Sequence, residues 1–463
     1  MIFTGINIFL LCLVSIFIGT SVVVSKVSPK TLFYNRKALH ISVLSSLALS
    51  INYLTKDIFF EFALFLSVCE FILVYFVLKG FFETDTRKSW GIIYFLPPII
   101  FFLLVFPQCK FEISVSVWIL ALSDGLSAVL GRLLDFDKWK NFNEIKWGSD
   151  RKTIIGSMVF FISSLCIFQS FGVFDSNLKA AFASLVLTTV ELICGKGSDN
   201  LFIPVISFFI ILFLKNLTAD IIVVLQKNLW ILLIFIPLLF IVLKFKWLSN
   251  SGLFFAVYLA FFFLLTNTSL MPLIVFFVLG TLTGKLNKNE NSDVKHSQPR
   301  DVFQVLANGG VIFMILIYHG INQEFAHYYV FVLISIAVAC ADTLSSEIGM
   351  KFGKQTYHVI TLQPIERGVS GGVSLAGLLG AIFGSLTIAL FDLNHFAVVF
   401  FWGIIGSVVD SLFGVLFQAK YLNQGVLTDR KTNELVGGFQ FVNNDLVNFV
   451  SNLIVVLLAY FTF

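Results

Sequence analysis

Apolar residues run in helix-length stretches along most of this 463-residue chain, without the strict alternation of a barrel strand. Windows near 3–25, 38–54, 58–79, 90–107, 113–133, 153–172, 178–195, 200–215, 229–245, 251–267, 270–286, 303–319, 326–349, 369–391, 395–418 and 445–462 predict roughly sixteen membrane-spanning helices, a few of them candidates for re-entrant or interfacial segments. Backbone groups in lipid must pair internally, so helix is the form such runs take. The expected fold class is an all-α polytopic membrane protein.

Composition sharpens this picture. Hydrophobic residues make up 58% of positions, charged residues 13%, and the mean hydropathy is +0.93, which excludes a soluble globular domain. The six cysteines (Cys12, Cys69, Cys109, Cys166, Cys194 and Cys340) are isolated and read as packing residues. The run from Ile2 to Val24 has no basic leader and no small-residue cleavage site, so it reads as a first span. The net charge of +4 is carried in loops. Basic clusters at Lys26–Lys37, Arg87–Lys88, Arg132–Lys152, Lys244–Lys246, Lys285–Arg300, Lys351–Arg367 and Lys420–Lys431 fall on alternate loops. The positive-inside rule puts that face in the cytoplasm and both termini outside, in what is expected to be a bacterial cytoplasmic membrane. This pattern fits membrane orientation better than nucleic-acid binding.

The chain also repeats itself. Asp124-Gly-Leu-Ser127-Ala-Val-Leu-Gly131 and Asp342-Thr-Leu-Ser345-Ser-Glu-Ile-Gly349 share Asp-x-x-Ser-x-x-x-Gly at an offset of 218 residues. Arg87 and Arg300 stand 213 apart, Gly156 and Gly372 216 apart, and Glu191 and Asp410 219 apart. The spacing predicts two parallel pseudo-repeats, as domains 1–216 and 228–463, whose equivalent sites face the same side.

Carboxylates inside membrane helices cost on the order of 2.5–3.5 kcal/mol on insertion scales and mark function by default, which singles out Asp124, Glu191, Asp342 and Asp410. Asp, Ser and Gly at i, i+3 and i+7 share a helix face, where Ser127 and Ser345 add hydroxyls and Gly131 and Gly349 permit close approach. The same small residues also suit simple helix packing. Arg36 and His40 lie four apart at the start of the second span, while Lys37 reads equally as a snorkelling residue. Lys152-Thr-Ile-Ile-Gly156 and Arg367-Gly-Val-Ser370-Gly371-Gly372 each put a cation and small residues at a predicted helix start, where backbone N–H groups favour phosphate. Asp199-Asn200 and Asn443-Asn444-Asp445 offer oxygen ligands suited to Mg²⁺, or plain helix caps. Carboxylates, cations and phosphate-friendly helix starts on one face suit phosphoryl transfer from a nucleotide to a lipid alcohol.

Two resemblances follow from these residues. Residues 1 to about 215 resemble the dolichol kinase and phytol kinase family, through Arg36-Lys-Ala-Leu-His40, Arg87-Lys-Ser-Trp-Gly91, Ser123–Gly131, Lys152–Ser157, Glu191 and Asp199-Asn200-Leu201. Ser127 stands where that family has Ala, and Ile155 where it has Glu. Residues from about 229 to 463 resemble the family containing plant phytyl-phosphate kinase, through Gln304–Gly310 with Asn308, Ala341–Gly349, Gly368–Ser374, Gly406–Gly414 and Asn443–Asn448. The resemblance implies two successive kinases, taking a prenol such as phytol, farnesol or geranylgeraniol to its monophosphate and then its diphosphate, with CTP as co-substrate and Mg²⁺ as cofactor. Asp124 and Asp342 would be Mg²⁺ ligands or bases, with Asp199, Asn200 and Asp445 as further metal candidates. Lys152, Arg367 and the nearby glycines would hold phosphates, and Arg36, Arg87 and Arg300 would meet the nucleotide or the lipid phosphate. Competing readings are a phosphatidate cytidylyltransferase-like enzyme and a secondary transporter with parallel repeats.

Overall fold

The computed structural model describes residues 32–53, 94–134, 144–145, 152–195, 197–217, 221–286, 299–365, 367, 369–423, 426–429 and 434–463. Chain packing divides the protein into two compact units, Met1–Thr218 and Ala219–Phe463. Among the described residues the protein is mostly helical, and six helical segments have the length and apolar character to cross a membrane. Five more apolar helices are shorter. The expected spans at 3–25 and 58–79 lie outside the described residues.

In the first unit, α1 (Leu32–Tyr53), α2 (Leu96–Val105) and α3 (Lys110–Leu133) precede a two-residue hairpin of β1 (Glu144–Ile145) and β2 (Lys152–Thr153). Then come α4 (Ile154–Ser170), α5 (Asn177–Ile193) and α6 (Asp199–Asn216). The central element is α3, which packs against α1, α2, α4 and α6. Its middle, Ile119–Asp124, is a π-helical turn, a wider turn of the kind often found at functional sites.

The second unit opens with α7 (Ile221–Lys227), α8 (Leu229–Lys244), α9 (Asn250–Leu265) and α10 (Met271–Leu286). It continues through α11 (Val302–Ile321) and α12 (Tyr328–Phe352) to a small ladder of β3 (Tyr357–His358) and β4 (Gly372–Val373). Next are α13 (Leu375–Ala389), α14 (Phe396–Leu416), the antiparallel strands β5 (Lys420–Asn423), β6 (Val426–Thr428) and β7 (Glu434–Gly437), and α15 (Asn444–Thr462). Helix α12 is the core: it contacts α10, α11, α13, α14 and α15, and every residue from Val330 to Ala341 is buried. A helix apolar on all sides belongs in a core or in lipid, and here neighbouring helices enclose this stretch.

Glycine sets how closely the helices meet. On α13, Gly377, Gly380 and Gly384 face the α12 backbone, and a Cβ at Gly380 would come within 2.6 Å of the Leu344 carbonyl oxygen. The first unit contains the same local contact. There Gly156 of α4 lies against the Ser127 carbonyl and Gly131, just as Gly377 lies against the Ser345 carbonyl and Gly349. The N-caps match as well: Thr153 Oγ1 accepts from Gly156 N–H at 3.0 Å and Ser374 Oγ from Gly377 N–H at 3.1 Å. Gly156 therefore corresponds in packing to Gly377, whereas spacing alone pairs it with Gly372.

A second difference lies just upstream. The helix start expected at 369 is absent, because Gly371 takes φ +86, which a helix excludes, and Ser374 caps a helix beginning at Leu375. Ser370, Gly371 and Gly372 are thus loop and strand residues.

Replacing Gly380 by Leu should lower the thermal-unfolding midpoint of the purified protein in detergent, because overpacking costs roughly 1–3 kcal/mol. Leu379, on the exposed side of the same helix, should tolerate Ala with little change in the same assay.

Candidate functional site

In the second unit the polar side chains converge on one cavity of about 470 Å³. Its floor is a pair of acids. Asp342 on α12 and Asp410 on α14 lie side by side, close enough to share a proton, and Ser451 Oγ on α15 donates to Asp410 Oδ1 at 2.7 Å. Among the described residues neither acid has a cationic partner. Two carboxylates this close need a proton or a cation between them.

Arg300 enters the cavity from a backbone that is pinned on both sides. Its N–H donates to the Trp247 carbonyl at 3.1 Å, and its carbonyl accepts from Ser249 N–H at 2.9 Å. The next residue, Asp301, caps α11 by accepting from Gln304 N–H at 3.0 Å. One guanidinium nitrogen donates to the Gly280 carbonyl at 2.9 Å. Burial pulls the Arg300 pKa below its ordinary value, with Glu347 opposing.

The glycine-rich loop forms another wall. Ser370 Oγ donates to Asp429 Oδ2 at 2.5 Å, Gln418 Nε2 donates to the same oxygen at 3.0 Å, and Asp429 Oδ1 is buried with no hydrogen-bond partner among the described residues. Asn308, Ser345, Gly349, Arg367, Gly371, Gly372 and Asp445 complete the lining contributed by residues singled out in the sequence. The structure thus gathers Asp342, Asp410, Arg300, Arg367 and Asp445 around one space.

The first unit arranges its charges differently. Lys37 Nζ donates to Asp124 Oδ2 at 2.8 Å, so a residue that also reads as snorkelling is the ion-pair partner of the central acid. His40 Nε2 lies 3.1 Å from the Leu120 carbonyl and 3.4 Å from Asp124 Oδ2. Both neighbours are acceptors, so Nε2 carries the hydrogen. Lys152 Nζ donates to Glu191 Oε1 at 2.6 Å and lies 3.9 Å from Asp199 Oδ2. Burial lowers the Lys152 pKa, but Glu191, Asp199 and Asp124 outweigh it and hold the amine above its ordinary value. Ser127 Oγ donates to the Asp124 carbonyl of its own helix at 3.0 Å. Asn200 follows Asp199 at the start of α6, where its N–H meets Asp199 Oδ1 at 3.0 Å. Arg87 and the Arg36 side chain lie outside the described residues.

Among the described residues no group of three or more His, Cys, Asp or Glu is placed to hold a metal ion. The second-unit cavity nevertheless has a set of oxygen donors: the Asp342 and Asp410 carboxylates, and Asn448 Oδ1, which is buried with no hydrogen-bond partner among the described residues. Such hard oxygens suit Mg²⁺, which keeps several waters and needs few protein ligands. Asn443, read as a ligand or a cap, is a cap: its Oδ1 accepts from Leu446 N–H at 3.0 Å.

Gln418 and Asp429 line the cavity without being singled out from sequence, and Gln304, Glu347 and Asn448 stood inside the quoted motifs without a role of their own. The signal for Gln304 was its place four residues before Asn308, on the same helix face. Asp429 sits in a basic loop, and no local pattern marks it.

Comparison with known proteins places this cavity in a family. Residues 233–456 match the family described as Integral membrane protein DUF92. An uncharacterized membrane protein of Methanocaldococcus jannaschii is 32% identical over 181 residues, covering 36% of this chain and 73% of that protein. The chain belongs to the DUF92 family of integral membrane proteins. Every residue lining the cavity falls inside the span matched to DUF92. Protein VTE6, chloroplastic, of Arabidopsis thaliana is 28% identical over 191 residues, covering 38% of this chain and about half, 53%, of that protein. Protein PGR of the same plant is 27% identical over 221 residues, with 39% and 77% covered. No solved structure matches this DUF92 chain.

The Lys37–Asp124 pair can be tested by a double-mutant cycle. Lys37→Met should lower the unfolding midpoint by several degrees, since stranding a buried carboxylate costs up to about 3 kcal/mol. Adding Asp124→Asn to Lys37→Met should recover most of that loss. A double variant as unstable as the sum of the two singles would mean that the pair is not coupled.

Proposed function

We propose that this protein is a membrane-bound isoprenoid kinase whose second unit converts a prenyl monophosphate to the diphosphate, using a nucleoside triphosphate, with CTP the expected donor. The observation that carries the reading is the cavity of about 470 Å³ where the Asp342–Asp410 pair faces Arg300, Arg367 and a glycine-rich loop. The resemblance of residues 229–463 to the family containing plant phytyl-phosphate kinase gives the substrate class, and the likeness to the Arabidopsis relatives supports a kinship on that side of the chain.

The chemistry is a single displacement. A phosphate oxygen of the prenyl monophosphate forms a bond to the γ-phosphorus, the bond from that phosphorus to the bridging oxygen breaks, and the nucleoside diphosphate leaves. A phosphate monoester needs no base to attack. Arg300 and Arg367 neutralise phosphate charge, and the Ser370–Gly372 backbone lies along the phosphates. Mg²⁺, held by Asp342, Asp410 and Asn448, would supply the remaining positive charge.

The first unit is proposed to phosphorylate the prenol itself. A hydroxyl must shed its proton on attack, and Asp124, with His40 beside it, is the group proposed to receive it. The two units are proposed to be parallel repeats of one design. The Asp-x-x-Ser-x-x-x-Gly helix and the capped glycine crossing it occur once in each.

The steps should separate genetically. Asp342→Asn should accumulate prenyl monophosphate from supplied prenol, with diphosphate formation down about 100-fold or more. Asp124→Asn should fail on prenol yet still phosphorylate supplied monophosphate. A folded Asp124→Asn protein unable to use the monophosphate contradicts the two-step reading. Removal of divalent ions by a chelator should abolish both steps.

A further inference from the structure

A second cavity in the same unit has the opposite character. It is walled by apolar side chains of α8, α9, α10 and α11, including Val242, Ala256, Leu259, Ile274 and Phe277. Three polar residues also line it: Arg300, Gln304 and Asn308. The same three line the polar cavity. They stand in a row, with Arg300 just ahead of α11 and Gln304 and Asn308 one turn apart on it, and Asn308 Nδ2 donates to the Gln304 carbonyl at 3.2 Å. An apolar groove and a phosphate-friendly cavity therefore meet at one shared wall.

That wall has the chemistry of a headgroup boundary. The Arg300 guanidinium presents five donors, its hydrogen bond to the Gly280 carbonyl uses one nitrogen, and among the described residues no carboxylate lies within salt-bridge distance of it, Glu347 acting on it only through space. Gly280 leaves room beside it: a Cβ there would lie 3.5–3.6 Å from the two terminal nitrogens. A part-buried guanidinium with spare donors and no directly bonded carboxylate is suited to hold an anion. The anion must lie where apolar surface begins, so a free nucleotide or inorganic phosphate would leave the groove beside it empty. A molecule with an anionic head and a long apolar tail satisfies both sides at once.

Resting on the kinase reading for the identity of the tail, we infer that the groove between α8, α9, α10 and α11 is the binding site for the isoprenoid chain of the prenyl monophosphate, whose phosphate is held at Arg300 and presented toward Asp342 and Asp410. Arg300 is then the reader of the lipid phosphate, and the nucleotide occupies the far side of the polar cavity, by Arg367 and the Ser370–Gly372 loop. Ala256 is a specificity position, because its small side chain leaves the groove open.

The test uses the full-length protein in lipid nanodiscs and a farnesyl monophosphate analogue carrying a photoreactive diazirine in its tail. Label should fall on peptides spanning 238–242, 253–260 and 270–277, and excess farnesyl monophosphate should compete it away. Arg300→Gln should reduce that labelling about tenfold, the loss expected from one charge-assisted contact. Ala256→Leu should raise the KM for the prenyl monophosphate several-fold, with a much smaller effect on kcat, the pattern of lost uniform binding. Label on other helices, or label in the groove that phosphatidic acid displaces as well as farnesyl monophosphate does, overturns the proposal. The two readings fail separately. Specific labelling of the groove without phosphoryl transfer keeps the tail site and removes the kinase, whereas transfer with the label elsewhere keeps the kinase and removes the tail site.

Discussion

Two carboxylates, Asp342 and Asp410, meet at a polar cavity among apolar helices, with no salt-bridge partner for either among the described residues. Each acid in such a place opposes folding by a few kcal/mol, so the surrounding structure has to make the position tolerable and something from outside has to complete it. The enclosure comes from α12, surrounded by five helices, and from the α13 glycines that let the two backbones nearly touch. Ser451 supplies one hydrogen bond to Asp410. The remaining compensation is left to what enters the cavity. In the proposed function this is an Mg²⁺-bound nucleotide, which brings the positive charge the acids lack and the phosphates that Arg300 and Arg367 lack.

The first unit has a similar helix crossing with its charges already satisfied. Asp124 has Lys37 and His40, and Glu191 and Asp199 have Lys152. The difference is physical and local: at the place where α4 begins, the chain carries Lys152-Thr153, while the corresponding stretch before α13 carries Val373-Ser374. Lys152, which pairs with Glu191 and Asp199, thus has no counterpart before α13, while Asp124 is paired by a different lysine, Lys37. Lys285, near the end of α10, holds its Nζ 4.4 Å from the centre of the Trp247 ring and, among the described residues, makes no ion pair with the two acids.

Much of this was readable in the chain. Asp342 and Asp410 stood out because acids are rare in apolar runs, and Asn308, Ser345, Gly349 and Arg367 because small or polar residues recur around them at helical spacing; all line one cavity. What escaped sequence reading depends on contacts between distant segments. Lys37 looks like an interfacial residue until α1 is seen against α3, and Asp429 becomes part of the site only because Ser370 and Gln418 both donate to it. The helix start before α13 was misplaced because glycine-rich sequence permits both a helix start and a turn. The positive φ of Gly371, just ahead of the strand residue Gly372, decides for the turn. The apolar groove beside Arg300 was invisible for the same reason: its walls come from four helices, each unremarkable in sequence.

The account stands or falls on where the γ-phosphate goes. Purified wild-type protein should be given farnesyl monophosphate and a nucleoside triphosphate labelled in its γ-phosphate, and the lipid products resolved. The account predicts that the label appears in the terminal phosphate of farnesyl diphosphate, only when Mg²⁺ is present, with one nucleoside diphosphate released per lipid made. Release of pyrophosphate with the nucleotide moiety joined to the lipid, or no lipid label at all from an otherwise folded protein, would contradict it.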